Sequence, residues 1–381
     1  MKLPALFIIA SAFTGSAFAD TTVKDRDALL SALRSAKPGT TILVAPGNYQ
    51  GGLSASKLSG EKGKPITVRA ADPKQPPVFE GGGSGIHLSG CSFVELSHLT
   101  FKNAQANGIN IDDGGSVETP SKGIVLRNLT VSSSVPKGNR DGIKLSGLDN
   151  FTVADCRVER WGSSGSAIDM VGCHDGTVQG CSFEHDPALA PQANGVQAKG
   201  GSARIVIKRC TFKGAGGRGV NLGGNTGAAY FRPAKPPAEA QELTVEDCRF
   251  TDIQAPIAFV GVDGAIVRHN TIENPGRWAL RILQENTSPE MAPCRKGSFT
   301  DNIIVFQSGQ LAQAVNVGGG TEPNSFSFAR NLWFCSDKPA ESKSRIRLPA
   351  TEDAGVFGEN PALRPDGTSA THKMGIRPAA P

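Results

Sequence analysis

The chain has 381 residues, with 46 Gly, 25 Pro, 6% aromatic residues and a formal net charge of +5. That frequency of turn-forming residues excludes a helical bundle, while 38% hydrophobic residues exclude a disordered chain. The mild basic excess favours acidic partners; no basic stretch is interleaved with aromatics as in single-strand platforms, so no nucleic acid is expected.

The first 19 residues, MKLPALFIIASAFTGSAFA, have one Lys, an apolar run from Leu6 to Phe13 and a small-x-small ending at Ala17-Phe18-Ala19, the form of a signal peptide. The run falls short of the roughly 20 residues that span a bilayer. A secreted or periplasmic protein without a membrane span is expected, and loss of Lys2 lowers its charge from +5 to +4. Next, Val23 to Ala36 carries Leu29, Leu30 and Leu33 at helical spacing, a helix suited to capping an open end. A strand between two Pro-Gly turns, Lys37 to Tyr49, starts the stack, and Gly63 to Asp72 continues it.

From there a repeat governs the chain. In its clearest copy, Asn194 to Gly224, a strand Val196–Lys199 is followed by a glycine turn and a second strand, Arg204–Phe212, marked by Ile207, Cys210 and Phe212. The marks recur as Leu96/Leu99/Phe101, Leu126/Leu129/Val131, Val153/Cys156/Val158, Val178/Cys181/Phe183, Val245/Cys248/Phe250, Val267/Asn270/Ile272, Phe299/Asn302/Ile304 and Phe328/Asn331/Trp333, spaced 22 to 38 residues apart. A rung that cannot bury its apolar side alone must stack on its neighbours. The expected fold is therefore all-β, a right-handed parallel β-helix with an N-terminal capping helix. Its expected divisions are 1–19 signal peptide, 20–84 cap and first rungs, 85–334 β-helix, and 335–381 C-terminal cap and loose strap.

Eight cysteines in an exported chain suggest disulfides. However, Cys156, Cys181, Cys210 and Cys248 hold one position on successive rungs, so stacked buried thiols are expected there. Cys173, Cys294 and Cys335 fall in turns and are free to pair, and Cys91 lies on an early rung. There is no CxxC, and six scattered His show no ligand spacing, so no metal is expected.

Alternation in the first strands points apolar residues inward and a row outward: His87, Asn110, Lys144, Asp169, Gln197, Asn221, Ala258, Arg281 and Asn316. Two residues further along, Ser89, Asp112, Ser146, Val171, Lys199, Gly223, Val260, Leu283 and Gly318 form a second row. Any exposed strand has a solvated face, but this mixture of Lys, Asp, Asn, Gln and Arg suits a ligand better than a plain sheet surface. At about 4.8 Å per rung, Asp112 to Asn221 spans roughly 20 Å, a short oligosaccharide. Long turns at 119–141, 185–194 and 225–241 are expected on the same face, with Tyr230, Phe231 and Arg232 as a wall for a sugar ring. His174 and His185 are expected to be solvated turn residues.

An acidic polysaccharide fits such a groove. Cleavage of a uronate polymer by β-elimination needs a cation on the carboxylate, a base for the C5 proton and an acid for the leaving oxygen. Lys199, Lys144, Arg281 and Arg218 are candidate cations, and a Lys among cationic neighbours is a candidate base. Lys199, its glycine turn and the strand ending Cys210-Thr211-Phe212 resemble the polysaccharide lyases of the chondroitinase B and alginate lyase type, whose catalytic Lys ends such a strand one rung before a catalytic Arg. The resemblance runs from about Lys37 to Trp333. Only Lys199 carries over: Asn221 to Gly224 hold no Arg, which leaves Arg218 or Arg281, and the family's acidic calcium pair falls at Gln192 and Asn194. No cofactor is expected. The resemblance implies a lyase with Lys199 as a catalytic residue; the outward row and the loops add Arg281, Lys144 and Asp169 as catalytic candidates and Asn110, Asp112, Gln197, Asn221, Arg218 and Tyr230 against substrate. A hydrolase using Asp112 and Asp169, with Asp141 nearby, and a non-catalytic binding module stay open. A monomer is expected.

Overall fold

The computed structural model describes residues 20–133 and 137–378; the expected signal peptide lies outside them. Three long parallel sheets wrap one core. The front sheet has 10 strands, from Leu53–Ser56 to Val315–Val317; the back sheet has 15, running from Thr21–Val23 to Glu352–Asp353; the side sheet has 12, from Asn48–Gln50 to Val356–Phe357. Each strand pairs with the equivalent strand of the next rung, as in Ile168↔Val196 and Val196↔Val220. This is the expected parallel β-helix.

The rung has three strands where the sequence suggested two. Asn194–Lys199 lies in the front sheet, Ser202–Lys208 in the back sheet and Thr211–Lys213 in the side sheet. The expected second strand breaks at Arg209, whose φ is 52°. His98, Asn128, Asp155, Asp247, His269, Asp301 and Arg330 turn the same corner with φ between 52° and 57°. That left-handed conformation costs an ordinary residue about 1 kcal/mol and is tolerated best by Asn and Asp.

Directly after each corner stands one buried column: Leu99, Leu129, Cys156, Cys181, Cys210, Cys248, Asn270, Asn302, Asn331. Its polar members bond from rung to rung. The N–H of Cys156 donates to Cys181 Sγ at 3.4 Å, and that of Cys210 to Cys248 Sγ at 3.5 Å. The Cys248 N–H donates to Asn270 Oδ1 at 2.9 Å, after which Asn302 Oδ1 accepts from Asn270 and Asn331 Oδ1 from Asn302. Glu352 closes the ladder by accepting from the Asn331 N–H at 3.0 Å. The stacked thiols are thus as expected. Cys173, Cys294 and Cys335 are also buried and free; nothing pairs them, and burial pushes Cys173 up to about 12 and Cys294 to about 11. Beside the column, phenylalanines stack in file, Phe212 on Phe250 with centroids 4.7 Å apart.

At the N-terminal end the helix is Arg26–Ser35, capped by Asp25, which accepts from the Ala28 N–H at 2.8 Å, and it buries Leu29 and Leu33. It begins later than the leucine spacing suggests because Val23 pairs with Val44 in a strand that precedes the expected first one. Residues 119–141, expected as a long turn although Leu126, Leu129 and Val131 carry the strand marks, follow the marks instead: they contain the strands Ser121–Lys122, Val125–Arg127 and Thr130–Ser132, with Leu126 and Val131 in the core. The C-terminal segment packs back along the side sheet. Asp247 accepts from Arg377 Nε at 2.9 Å, Gly375 N–H donates to Asp301 O at 2.8 Å, and Met374 and Leu363 cover Ile303, Leu332 and Phe334. That strap is fastened, not loose.

Two outcomes follow from the column. Without reductant, a thiol reagent should modify none of the eight cysteines of the folded protein and all eight in denaturant; a titration giving fewer than eight in denaturant would reveal disulfides. Replacing Asn302 by Ala orphans the Asn270 N–H and the Val267 carbonyl, so chemical denaturation should show a loss of about 3 kcal/mol.

Candidate functional site

The front sheet brings the outward row together in register: His87↔Asn110↔Lys144↔Asp169↔Gln197↔Asn221↔Ala258↔Arg281↔Asn316. Val171↔Lys199 places Lys199 in the second row, beside the rung of Asp169. Both ammonium groups turn to one carboxylate. Lys144 Nζ donates to Asp169 Oδ2, and Lys199 Nζ lies 3.7 Å from the same oxygen. Asp141, from the turn before the Lys144 strand, places Oδ2 3.8 Å from Lys144 Nζ while its Oδ1 accepts from the Ser166 N–H at 2.8 Å.

Two acids and two bases in a partly buried cluster pull on each other's protons. Burial and then the Asp169 charge push the Asp141 carboxyl up to about 6, against the pull of Lys144. Burial opposes the charge on Lys144, but Asp169 and Asp141 outweigh it and hold the ammonium above its ordinary range. Lys144 is therefore a fixed cation. Lys199, near Asp169 but not hydrogen-bonded to it, is the more loosely held of the two. Asp169 Oδ1 is buried with no hydrogen-bond partner among the described residues.

Behind Lys199 stands a residue that sequence reasoning missed. Glu239 is wholly buried and accepts from the Gly200 N–H at 3.1 Å, the Thr226 N–H at 2.8 Å, the Thr226 hydroxyl at 2.7 Å and Asn286 Nδ2 at 2.7 Å. It ties the turn after Lys199 to two loops. No pattern flags it, because it sits in the Pro-rich insertion 225–241. Gly224 closes in from the next rung: a Cβ there would lie 3.0 Å from Gln197 Nε2 and 3.1 Å from Lys199 Cδ.

The other candidates are placed as follows. Asp112 accepts from Ser89 Oγ at 2.6 Å and lies 2.6 Å from His87 Nε2; burial would raise its carboxyl, but these bonds hold it below the usual range. It lies two rungs from Asp169 and is already satisfied, an arrangement unlike a hydrolytic pair. Asn110 is partly exposed beside it. Gln197 and Asn221 are buried, and Arg218 Nη1 donates to Asn221 Oδ1 at 2.9 Å while pairing with Glu285. Arg281 lies over the Trp278 ring at 4.3 Å and donates to Asn316 at 2.9 Å.

The expected aromatic wall is reduced to Tyr230, 71% exposed. Phe231 is buried, and Arg232 turns inward to Asp149 Oδ2 at 2.7 Å and Gly172 O at 2.8 Å. The two histidines are not solvated. His174 Nε2 lies 3.0 Å from Gly201 O and its Nδ1 meets Arg232, while His185 packs edge-on to Trp161 with Nε2 2.9 Å from Trp161 O. Each fills a polar gap under a loop that the sequence left without partners.

Calcium does not fit the positions the resemblance assigns to it. Gln192 and Asn194 are neutral, and Asn194 Oδ1 already accepts from the Arg218 N–H at 3.2 Å. Among the described residues no cluster of three or more His, Cys, Asp or Glu is arranged to hold a metal. No helix among them is long and apolar enough to cross a membrane.

Comparison with known proteins agrees with this architecture. An alginate lyase from Paenibacillus sp. str. FPU-7 superposes with a TM-score of 0.55 at 16% identity, over 80% of this chain and 99% of its own. A mannuronic acid specific polysaccharide family 6 lyase from human gut microbiota gives 0.51 at 13% identity over 87% and 91%, and a pectate lyase 0.50 at 17% over 78% and 73%. At these identities the likeness is one of fold. No curated protein matches by sequence. Residues 23–118 match the family model of chondroitinase B. Residues 84–289, more than half the chain, match the model of the right handed beta helix region, and the chain belongs to that family.

Proposed function

We propose that the protein is a polysaccharide lyase that cleaves a uronate-containing polymer by β-elimination, with Lys199 as the base. The observation that carries the reading is the convergence of Lys144 and Lys199 on Asp169 in a partly buried cluster on the front sheet. Lys144, held protonated by two carboxylates, neutralises the sugar carboxylate and so acidifies the C5 proton. Lys199 takes that proton, the electron pair forms the C4–C5 double bond, and the C4–O4 bond breaks. The leaving oxygen takes a proton, for which the newly formed Lys199 ammonium is the near donor. Asn110, Gln197 and Tyr230 line the approach. No step is routed through a metal. We further read the protein as exported, on the form of its N-terminal segment.

Asp141 supports a second reading. A carboxyl raised to about 6 beside a second carboxyl, Asp169, is the kind of pairing that a glycoside hydrolase uses as acid and base. Incubation with uronate polymers and neutral glycans separates the two: elimination raises ultraviolet absorbance together with reducing ends, and hydrolysis raises reducing ends alone. Lys199→Ala should lower kcat at least about a hundredfold, the scale of a lost general base. Lys144→Ala should also slow turnover, and activity unaffected by either change would rule the assignment out.

Asp141 also makes a stability prediction. A carboxyl raised in the folded state contributes stability that is fully present below its ordinary value of 3.8 and is lost as pH rises through about 6. The loss is at most about 3 kcal/mol. Asp141→Asn should remove it, so the Tm of the variant should rise relative to wild type between pH 4 and 7; parallel Tm curves would contradict the raised carboxyl.

A further inference from the structure

The outward row is not open along its whole length. Ala258, Val260 and Leu283 point away from the core, since Ile257, Phe259, Leu280 and Ile282 alternate with them and belong to it. Even so, Ala258 and Val260 are 0% exposed and Leu283 is nearly so, and the three form a small apolar cluster of their own. Outward residues are covered only when something lies over them.

Two contacts border that cluster. Arg218, on the strand before Ala258, reaches Glu285, just past the strand after it, so the ion pair spans the Ala258 rung. At the C-terminal end of the same strands, where Glu239 packs beside Gly223 and Gly261, the insertion 225–241 meets the turn 284–294: Asn286 Nδ2 donates to Glu239, and the Ala292 N–H donates to Pro237 O at 2.8 Å. On one side of this wall, Lys199, Lys144, Asn110, His87 and Ser54 are partly or fully exposed, with Asp169, Gln197 and Asn221 buried among them; on the other, Arg281 and Asn316 are partly exposed and bonded to each other.

We propose that the wall makes the groove blind, so that the protein takes its polymer by a chain end and releases one short product at a time. This rests on reading the groove as a uronate-polymer site. A chain lying over His87, Asn110 and Lys144 reaches Lys199 and meets the Arg218–Glu285 pair one to two rungs later, about 5 to 10 Å on. Only a very short terminal piece fits between. A through-running chain would have to displace the ion pair and the Asn286–Glu239 bond together, whereas a chain end displaces nothing.

The test follows viscosity and reducing ends on whichever uronate polymer the protein cleaves. Viscosity should barely fall per bond cut, and one short product should appear from the first time point. In parallel, the Lys199→Ala protein should bind long polymer at one copy per chain whatever the chain length. Glu285→Ala, which opens the wall, should hasten viscosity loss per bond cut several-fold, and a wild-type profile in that variant would overturn the role given to the ion pair. Early viscosity collapse with a ladder of products, or binding that grows with chain length, would overturn the blind groove while absorbance still reports elimination. If wild type cuts no uronate polymer and the Lys199→Ala protein binds none, the substrate reading fails and this proposal with it.

Discussion

The structure depends on a corner. Parallel strands repeat at about 4.8 Å only if every rung closes its circuit at the same height. Here one residue per rung, from His98 to Arg330, is forced into the left-handed region to turn from the back sheet to the side sheet. That conformation is locally unfavourable and persists because the next residue is locked in the buried column. In the C-terminal half the lock is strongest, since each Asn amide satisfies the backbone of one rung with the side chain of the next. In the middle the same place is held by thiols, whose bonds are weaker but whose size suits the column. A change of height at any rung would break both the ladder and the outward register.

Constancy of height is what gives the front face its chemistry. A solenoid places equivalent residues side by side, so groups 25 residues apart, Lys144 and Asp169, meet as neighbours. Functional asymmetry must then come from insertions, because the rungs themselves are alike. The insertion 225–241 supplies it twice: Glu239 fixes the turn after Lys199, and Pro237 binds the turn 284–294 through the Ala292 N–H.

What was legible in the sequence follows from the same logic. The outward row could be read to the residue because strand periodicity is two and each quartet aligns on the next, so His87 to Asn316 fall in register as expected. The column of Cys156, Cys181, Cys210 and Cys248 was legible for the same reason. The corner was not, because His, Asn, Asp and Arg all occupy it, and no residue type announces a left-handed turn except glycine. The inward turn of Arg232 and the burial of His185 depend on partners 83 and 24 residues away, at Asp149 and Trp161. Likewise, nothing in Ala258 itself reveals its burial, and the Arg218–Glu285 pair that spans its rung joins residues 67 apart.

The cluster of Asp141, Lys144, Asp169 and Lys199 departs most from what stability alone would select. Partly buried charges cost desolvation, and their mutual attraction returns that cost only with good geometry. Lys144 and Asp169 have such geometry, but Asp141 is left with a raised carboxyl, Asp169 Oδ1 with no partner among the described residues, and Lys199 outside hydrogen-bonding distance. A purely structural network would have satisfied these groups, as Glu239 is satisfied by four donors 13 to 47 residues away in sequence. The contrast between one complete and one incomplete polar network on adjoining rungs marks the incomplete one out from the scaffold. An incomplete network has unmet charge and hydrogen-bonding capacity, which a carboxylated, hydroxyl-rich ligand arriving along the groove would complete.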